Sequence, residues 1–432
     1  MTSRASWLLV VTALGCAPGG SVLTDASVPP DAAVATDRPT VDAPASPDGS
    51  STDASSAMDV SAVDAPLDAP VDAPLDASAD VTADAPSPRG ALWVTGYYAG
   101  WMQDAVPPQA LALSSLTHVI HFSLVPRADG SLDATENGLG ATHARAIVSA
   151  AHAARRRVLV SIGGAGTRAL FVRAWAPGTR STFVANIVRF VADHGYDGAD
   201  VDVEPLEAGD ANAFQAFARA LHASLRARDP DALLTAAVGD APSVYVPVQG
   251  LFDQLNVMTY DTSGPWPGWV TWHNTPLRNG GARFPSTGAP LPSVDSLITA
   301  FARAGVDRAR LGVGIDFYGY DWSGASGPLQ PIAGVTTRTL SYAALLDRYE
   351  GRASLRWDAA ASVPYLSLPP AGSEPAHFVS FDDARSGAAK VDYARREGLG
   401  GAMIWEIAGG HRTSALAAER EALLTAIGAA AR

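Results

Sequence analysis

From residue 92 onward, eight short runs rich in β-branched and aromatic residues alternate with longer stretches of helical periodicity. The extended runs fall at 92–98, 117–125, 157–162, 198–204, 232–238, 254–260, 311–317 and 401–407. Helical patterns occupy 144–156, 181–194, 211–228, 293–304, 384–396 and 414–430. A strand that reaches the next one through a helix pairs with it in parallel. Eight such units within about 340 residues predict a closed (β/α)8 TIM barrel in preference to a doubly wound sheet. A dinucleotide site is not indicated: Gly163-Gly164 follows a strand, but no full G-x-G-x-x-G does. Some sixty residues separate Tyr320 from Phe381. They predict a small insertion over 323–378, between strand 7 and helix 7, with a helix at 340–349 and extended runs at 354–357 and 365–368.

The chain before the barrel is of another kind. Residues 21–88 contain thirteen Asp, one Arg and no aromatic residue, and they include the run Asp64-Ala65-Pro66, Asp68-Ala69-Pro70, Asp72-Ala73-Pro74. Such a segment cannot bury a core and is expected to be a disordered linker. It carries about −12 of the chain's formal −13, so the catalytic-sized part, 89–432, is nearly neutral. That argues against nucleic-acid or anionic-membrane binding, which would need a basic patch, and it fits an uncharged substrate.

At the N-terminus, Arg4 is followed by an apolar stretch from Trp7 to Leu14 and then by Gly15-Cys16. This stretch is too short to span a bilayer and has the layout of a secretory signal over 1–20. Cys16, the only cysteine, sits where bacterial lipoproteins are acylated, although Ala13 stands in place of the usual Leu. The expectation is an extracytoplasmic protein, either secreted or lipid-anchored through Cys16 and tethered by the linker.

Within the fourth run, Asp197-Gly198-Ala199-Asp200-Val201-Asp202-Val203-Glu204 puts three carboxylates at alternate positions. Side chains two apart share a face of a strand, so Asp200, Asp202 and Glu204 converge while Ala199, Val201 and Val203 face the other way. Pro205 ends the strand. Like charges this close on an apolar strand are costly, and a shared proton with one raised pKa is the expected response. Such a group can serve as an acid near neutral pH. By pattern alone, a solvated edge or a calcium- or magnesium-binding cluster remains open. In a barrel, chemistry gathers at the C-terminal strand ends. These ends carry Tyr97, Ser161, Glu204, Tyr260 with Asp261, Tyr318, and Trp405 with Glu406. Trp101, Trp266, Trp269 and Trp272 are candidates for an aromatic rim, with core packing as the alternative for each.

These motifs, in this order, resemble glycoside hydrolase family 18, the chitinase family, over residues 91–430. Asp197–Glu204 matches its D-G-x-D-x-D-x-E signature, Ser161–Gly164 its S-x-G-G strand, and Met258–Asp261 its M-x-Y-D segment. Gly400–Glu406 matches its last barrel strand, and Gly96-Tyr97-Tyr98 resembles its first. The resemblance implies that Glu204 protonates the glycosidic oxygen. Asp202 would orient the substrate's 2-acetamido group, whose own oxygen attacks the anomeric carbon. Asp200 would share a proton with Asp202, supported by Ser161 and Tyr97. Tyr260 would bond the acetamido group, Asp261 would contact the distorted sugar, and Trp405 would stack beneath it, with Glu406 and Trp266 as further substrate contacts. No cofactor and no metal are implied.

Two departures stand out: Val203 and Pro205 flank the acid where aromatic residues are frequent, and Arg157 replaces a common lysine. The expected activity is retaining, endo-type hydrolysis of β-1,4-linked N-acetylglucosamine polymers such as chitin, by a monomer. A peptidoglycan- or N-glycan-directed hydrolase and a non-catalytic chitin-binding lectin on the same fold are the alternatives.

Overall fold

The computed structural model describes residues 92–239 and 241–432. The expected signal, Cys16 and the linker lie outside the described residues. In chain order the strands are β1 (Trp93–Ala99), β2 (His118–Pro126), β3 (Leu132–Asp133), β4 (Arg157–Ala165), β5 (Gly198–Glu204), β6 (Leu233–Val238), β7 (Gln254–Val257) and β8 (Leu311–Asp316). They continue with β9 (Tyr318–Ser323), β10 (Thr336–Ser341), β11 (Ser354–Asp358), β12 (Val363–Leu368), β13 (His377–Phe381) and β14 (Gly401–Trp405). Eight of these form one parallel sheet in the order β1-β14-β8-β7-β6-β5-β4-β2, and β1 also pairs with β2, which closes the ring. The expected barrel is therefore present, each strand within a few residues of its expected place.

Closure sorts the side chains into two cores. Outward-facing Ala199, Val201 and Val203 join the large core beneath the helices, with Phe183 and Ile187 of helix Arg180–His194 and Phe214 and Phe217 of helix Ala211–Arg228. Inward-facing Tyr97, Ile120, Phe122, Leu159, Ala237, Tyr260 and Met403 fill the upper lumen. Helix boundaries follow local chemistry. Ser293 caps helix Val294–Ala304 by accepting from Ser296 N, and Gly305, at φ 105°, ends it. Asp383 and Ser386 cap helix Ala384–Arg396 reciprocally.

Two expectations need correction. The last helix runs only Ala422–Ala430, not 414–430. Leu416 is 74% exposed, so the preceding turns bury no apolar face that could stabilise a helix there. The insertion is also larger than expected. It begins at Tyr318, one residue beyond β8, and forms an antiparallel sheet in the order β10-β9-β13-β12-β11. Helix Tyr342–Tyr349 covers one face through Leu345 and Tyr349, packed with Leu366, Val379 and Phe381. Three of its five strands escaped or straddled the sequence reading because β9 continues almost directly from a barrel strand, β10 is polar and largely exposed, and β13 is only five residues long.

Candidate active site

Register brings the signature residues together. In β5, Asp200 lies opposite Ser161 of β4 and Thr235 of β6. The Ser161 hydroxyl donates to Asp200 Oδ2 at 2.9 Å and the Thr235 hydroxyl to Oδ1 at 2.6 Å. The Tyr97 hydroxyl reaches both oxygens at 3.2 and 3.3 Å, and it accepts from Asn256 Nδ2 at 3.3 Å. Asp200 is fully buried, and burial pushes its carboxyl up to about 6 even though all three hydroxyls favour the ionised form.

Asp202 sits one pleat higher and is 3% exposed. Its Oδ1 has no hydrogen-bond partner. Burial first, then the neighbouring charges of Glu204 and Asp200, raise its pKa well above the usual carboxylate range. Near neutral pH the Asp200–Asp202 pair therefore retains a proton. Glu204 ends the strand half-buried, so the three acids grade from enclosed to accessible along one face.

The glycines of the S-x-G-G strand make this approach possible. Gly163 has φ +112°, and a Cβ there would stand 1.9 Å from the carbonyl oxygen of Asp202. At Gly164 a Cβ would meet the Phe122 ring at 2.6 Å. Phe122 in turn lies edge-on to Trp405, with ring centroids 4.6 Å apart. Trp405 is also 5.9 Å from Tyr97 and 6.4 Å from Trp101, and Trp101 is 45% exposed. These four rings build an aromatic cup at the mouth, beside the carboxylates.

On the opposite flank, Tyr260 is buried with its hydroxyl 3.9 Å from Met403 Sδ. Burial first, then Glu204 and Asp202, hold its pKa well above the ordinary value, so it is a neutral donor. Asp261 follows at φ 55°, and its Oδ1 accepts from the Tyr318 and Tyr320 hydroxyls, both at 2.6 Å. Burial raises the Asp261 pKa despite those two donors.

Other expected residues lie elsewhere. The Glu406 carboxylate accepts from Ala408 N at 3.0 Å and caps the turn Ile407–Gly410; burial pushes its pKa up to about 7 against its backbone N–H partners. Trp266 is in the loop after β7, edge-on to Trp269 at 4.5 Å, and Trp269 is likewise edge-on to Phe284 at 4.8 Å. That ledge is separate from the Trp405 cup. Trp272 is a core residue, 2% exposed, whose indole donates to Pro292 O. Asp197, the first acid of the signature, is held by His152, Arg157 and Val158 N at the far end of β5. Val203 faces the outer core, as expected.

Thr235, Asn256, Phe122 and Asn274 were missed by sequence reasoning. Only barrel register, which places Thr235 beside Asp200, could have shown the first. Among the described residues no group of three or more His, Cys, Asp or Glu side chains is arranged to hold a metal ion, and no helix is long and apolar enough to cross a membrane.

Known proteins resemble this chain in sequence and in fold. The chain is 30% identical to Chitinase A1 of Niallia circulans over 259 residues, covering 51% of this chain and 36% of that protein. It spans about a third to three-fifths of the length of the curated relatives it matches. The Ostrinia furnacalis Group IV chitinase superposes with a TM-score of 0.68 at 22% identity, covering 79% of this chain and 99% of that one. The chitinase of Cycas revoluta in complex with (GlcNAc)3 superposes with a TM-score of 0.66 at 21% identity, covering 78% and 99%. The model for Glycosyl hydrolases family 18 matches residues 94–410, and the chain belongs to that family.

Proposed function

We propose that this protein is a retaining glycoside hydrolase of β-1,4-linked N-acetylglucosamine polymers, with chitin or chito-oligosaccharides as substrate, acting through the substrate's 2-acetamido group. The observation that carries the reading is the graded set on β5: Asp200 enclosed by three hydroxyls, Asp202 buried with an unpartnered Oδ1, and Glu204 at the mouth beside an aromatic cup. An acetamido N–H is a donor of the kind Asp202 lacks. Glu204 gives its proton to the glycosidic oxygen as the bond from that oxygen to the anomeric carbon breaks. The acetamido oxygen bonds to the anomeric carbon, and Asp202 balances the positive charge that develops on the resulting ring. No enzyme carboxylate is the nucleophile, which sets this family apart from the two-carboxylate scheme. Water then attacks the same carbon and displaces the acetamido oxygen while Glu204 takes a proton from that water, giving net retention.

Tyr260 donates to the acetamido group, Asp261 contacts the distorted sugar, and Trp405 offers its face below it. The sugar trimer held by the Cycas revoluta chitinase supports the substrate class. The apolar stretch before Cys16 supports delivery outside the cytoplasm, secreted or lipid-anchored. The test is hydrolysis of a chromogenic N,N′-diacetylchitobioside by the purified protein and by Glu204→Gln. Turnover lost with oligosaccharide binding kept is the expected result; full activity of Glu204→Gln would refute the mechanism.

A further inference from the structure

A second buried charge cluster lies behind the Asp261 flank, and none of the steps above uses it. Asp316 ends β8, Asp382 follows β13, Lys390 stands on helix Ala384–Arg396, and Asn274 and Thr275 belong to the loop after β7; all five are fully buried. Lys390 is the only lysine in the chain, every other one of the 31 basic residues being Arg. Its ammonium donates to Thr275 Oγ1 at 2.6 Å and to Asp382 Oδ2. A compact point charge fits that niche, where a planar guanidinium fork would not.

The remaining valences determine the protonation. Asp316 Oδ2 accepts from Asn274 Nδ2, while Oδ1 of Asp316 and Oδ1 of Asp382 have no donor. Burial first, then the neighbouring charge of Asp382, raises the Asp316 pKa well above the usual carboxylate range. Lys390 neutralises Asp382, and Asp316 is the neutral acid of the pair. The chain of bonds then leads forward to the site. Asn274 Oδ1 accepts from Asp261 N at 3.0 Å, and Asp261 is one of five non-glycine residues with a left-handed backbone among the described residues. That conformation costs a non-glycine residue energy, so it persists only where its surroundings impose it.

We propose that Asn274 and Asp316 are positioning residues for Asp261, fixing its left-handed backbone so that its carboxylate stays between Tyr318, Tyr320 and the sugar. The proposal rests on the reading of Asp261 as a sugar contact. It is tested in the full chain by steady-state kinetics on the chromogenic chitobioside. Asn274→Ala is expected to lower kcat about ten- to a hundredfold with KM changed less than about threefold, because a displaced contact to the distorted sugar is felt in the transition state. In an Asp261→Ala background the same change should cost less than about twofold, since the residue it positions is gone. Asp316→Ala should lose activity as Asn274→Ala does. Asp316→Asn should recover most of it, because its carbonyl still accepts from Asn274 and the side chain stays uncharged.

Wild-type kinetics in Asn274→Ala, an undiminished loss in the Asp261→Ala background, or no difference between Asp316→Asn and Asp316→Ala would each overturn the proposal. Should Asp316→Ala fail to fold, inactivity of a folded Asp316→Asn does the same. Any of these results beside an inactive Glu204→Gln removes the positioning role alone. A fully active Glu204→Gln removes the functional reading and this proposal with it.

Discussion

Asp200→Asn is expected to make the protein more stable at neutral pH while impairing it as an enzyme. Burial raises the Asp200 carboxyl from 3.8 to about 6, so the folded chain binds this proton more tightly than the unfolded chain does. A group with a raised folded pKa contributes stability that is fully present below its unfolded pKa and lost as pH rises through the folded value. At 1.36 kcal/mol per pH unit, the rise amounts to about 3 kcal/mol of stability lost by pH 8. Asparagine has the same size and cannot ionise, so it removes that loss. It also relieves Asp202, whose raised pKa is due in part to Asp200. An unfolding entropy of about 2.1 cal/mol/K per residue over the roughly 340 described residues converts 3 kcal/mol into about 4 °C.

Thermal unfolding of wild type and Asp200→Asn from pH 4 to pH 8 provides the assay, with chitobioside hydrolysis measured alongside. The variant should melt about 4 °C higher at pH 8, the gap should close toward pH 4, and turnover should fall at least about tenfold. A variant less stable than wild type at pH 8, or an offset independent of pH, would refute the burial argument.

Lys390→Met leaves the carboxyl pair without its counter-ion, and breaking a buried pair from one side costs about 3–5 kcal/mol, so calorimetry should show a Tm lower by about 4–7 °C. An unchanged Tm would mean the ion pair contributes nothing net. Gly163→Ala would force a Cβ to within 1.9 Å of the Asp202 carbonyl at φ +112°, so the variant should be recovered largely unfolded, or folded with its site displaced and inactive, as judged by circular dichroism and hydrolysis. Normal activity in that variant would show that the close β4–β5 approach does not constrain this position.

The barrel was legible because each strand satisfies a local rule and lies between helices with their own start and stop signals. The signature was legible because alternation alone assigns Asp200, Asp202 and Glu204 to one face and the intervening apolar residues to the other, and packing keeps that division. What register supplies was not legible. Thr235 lies in an apolar run, and nothing in its neighbours marks it as a donor to Asp200; only the pairing of β5 with β6 does. Asn274 and Asp316 lie 42 residues apart in sequence and meet only because the loop after β7 folds over the end of β8. Trp272 erred in the other direction: a large aromatic residue in a loop near the mouth looks like part of the rim until its burial and its bond to Pro292 O show it to be structural. The insertion was underestimated because its strands are short and one is polar, so period-two alternation has too few residues to register.

The two buried carboxylate sets differ in how their charge is met, and the difference follows from what each must do. At the Asp316–Asp382 pair a fixed ammonium balances one charge and burial keeps Asp316 protonated, so the assembly is neutral. Such a cluster has reason to stay still, which suits a scaffold for a strained residue. Around Asp200 the donors are the neutral hydroxyls of Tyr97, Ser161 and Thr235. Hydroxyls orient a carboxyl without adding charge, so burial dominates and proton affinity stays high. A lysine in their place would pull the pKa down and ionise both acids, removing the proton that the pair retains near neutral pH. The cation therefore belongs behind Asp261 and not behind Asp202. The Asp202 Oδ1 left without a partner is costly in a resting protein, and under the proposed mechanism an incoming amide N–H supplies the missing donor.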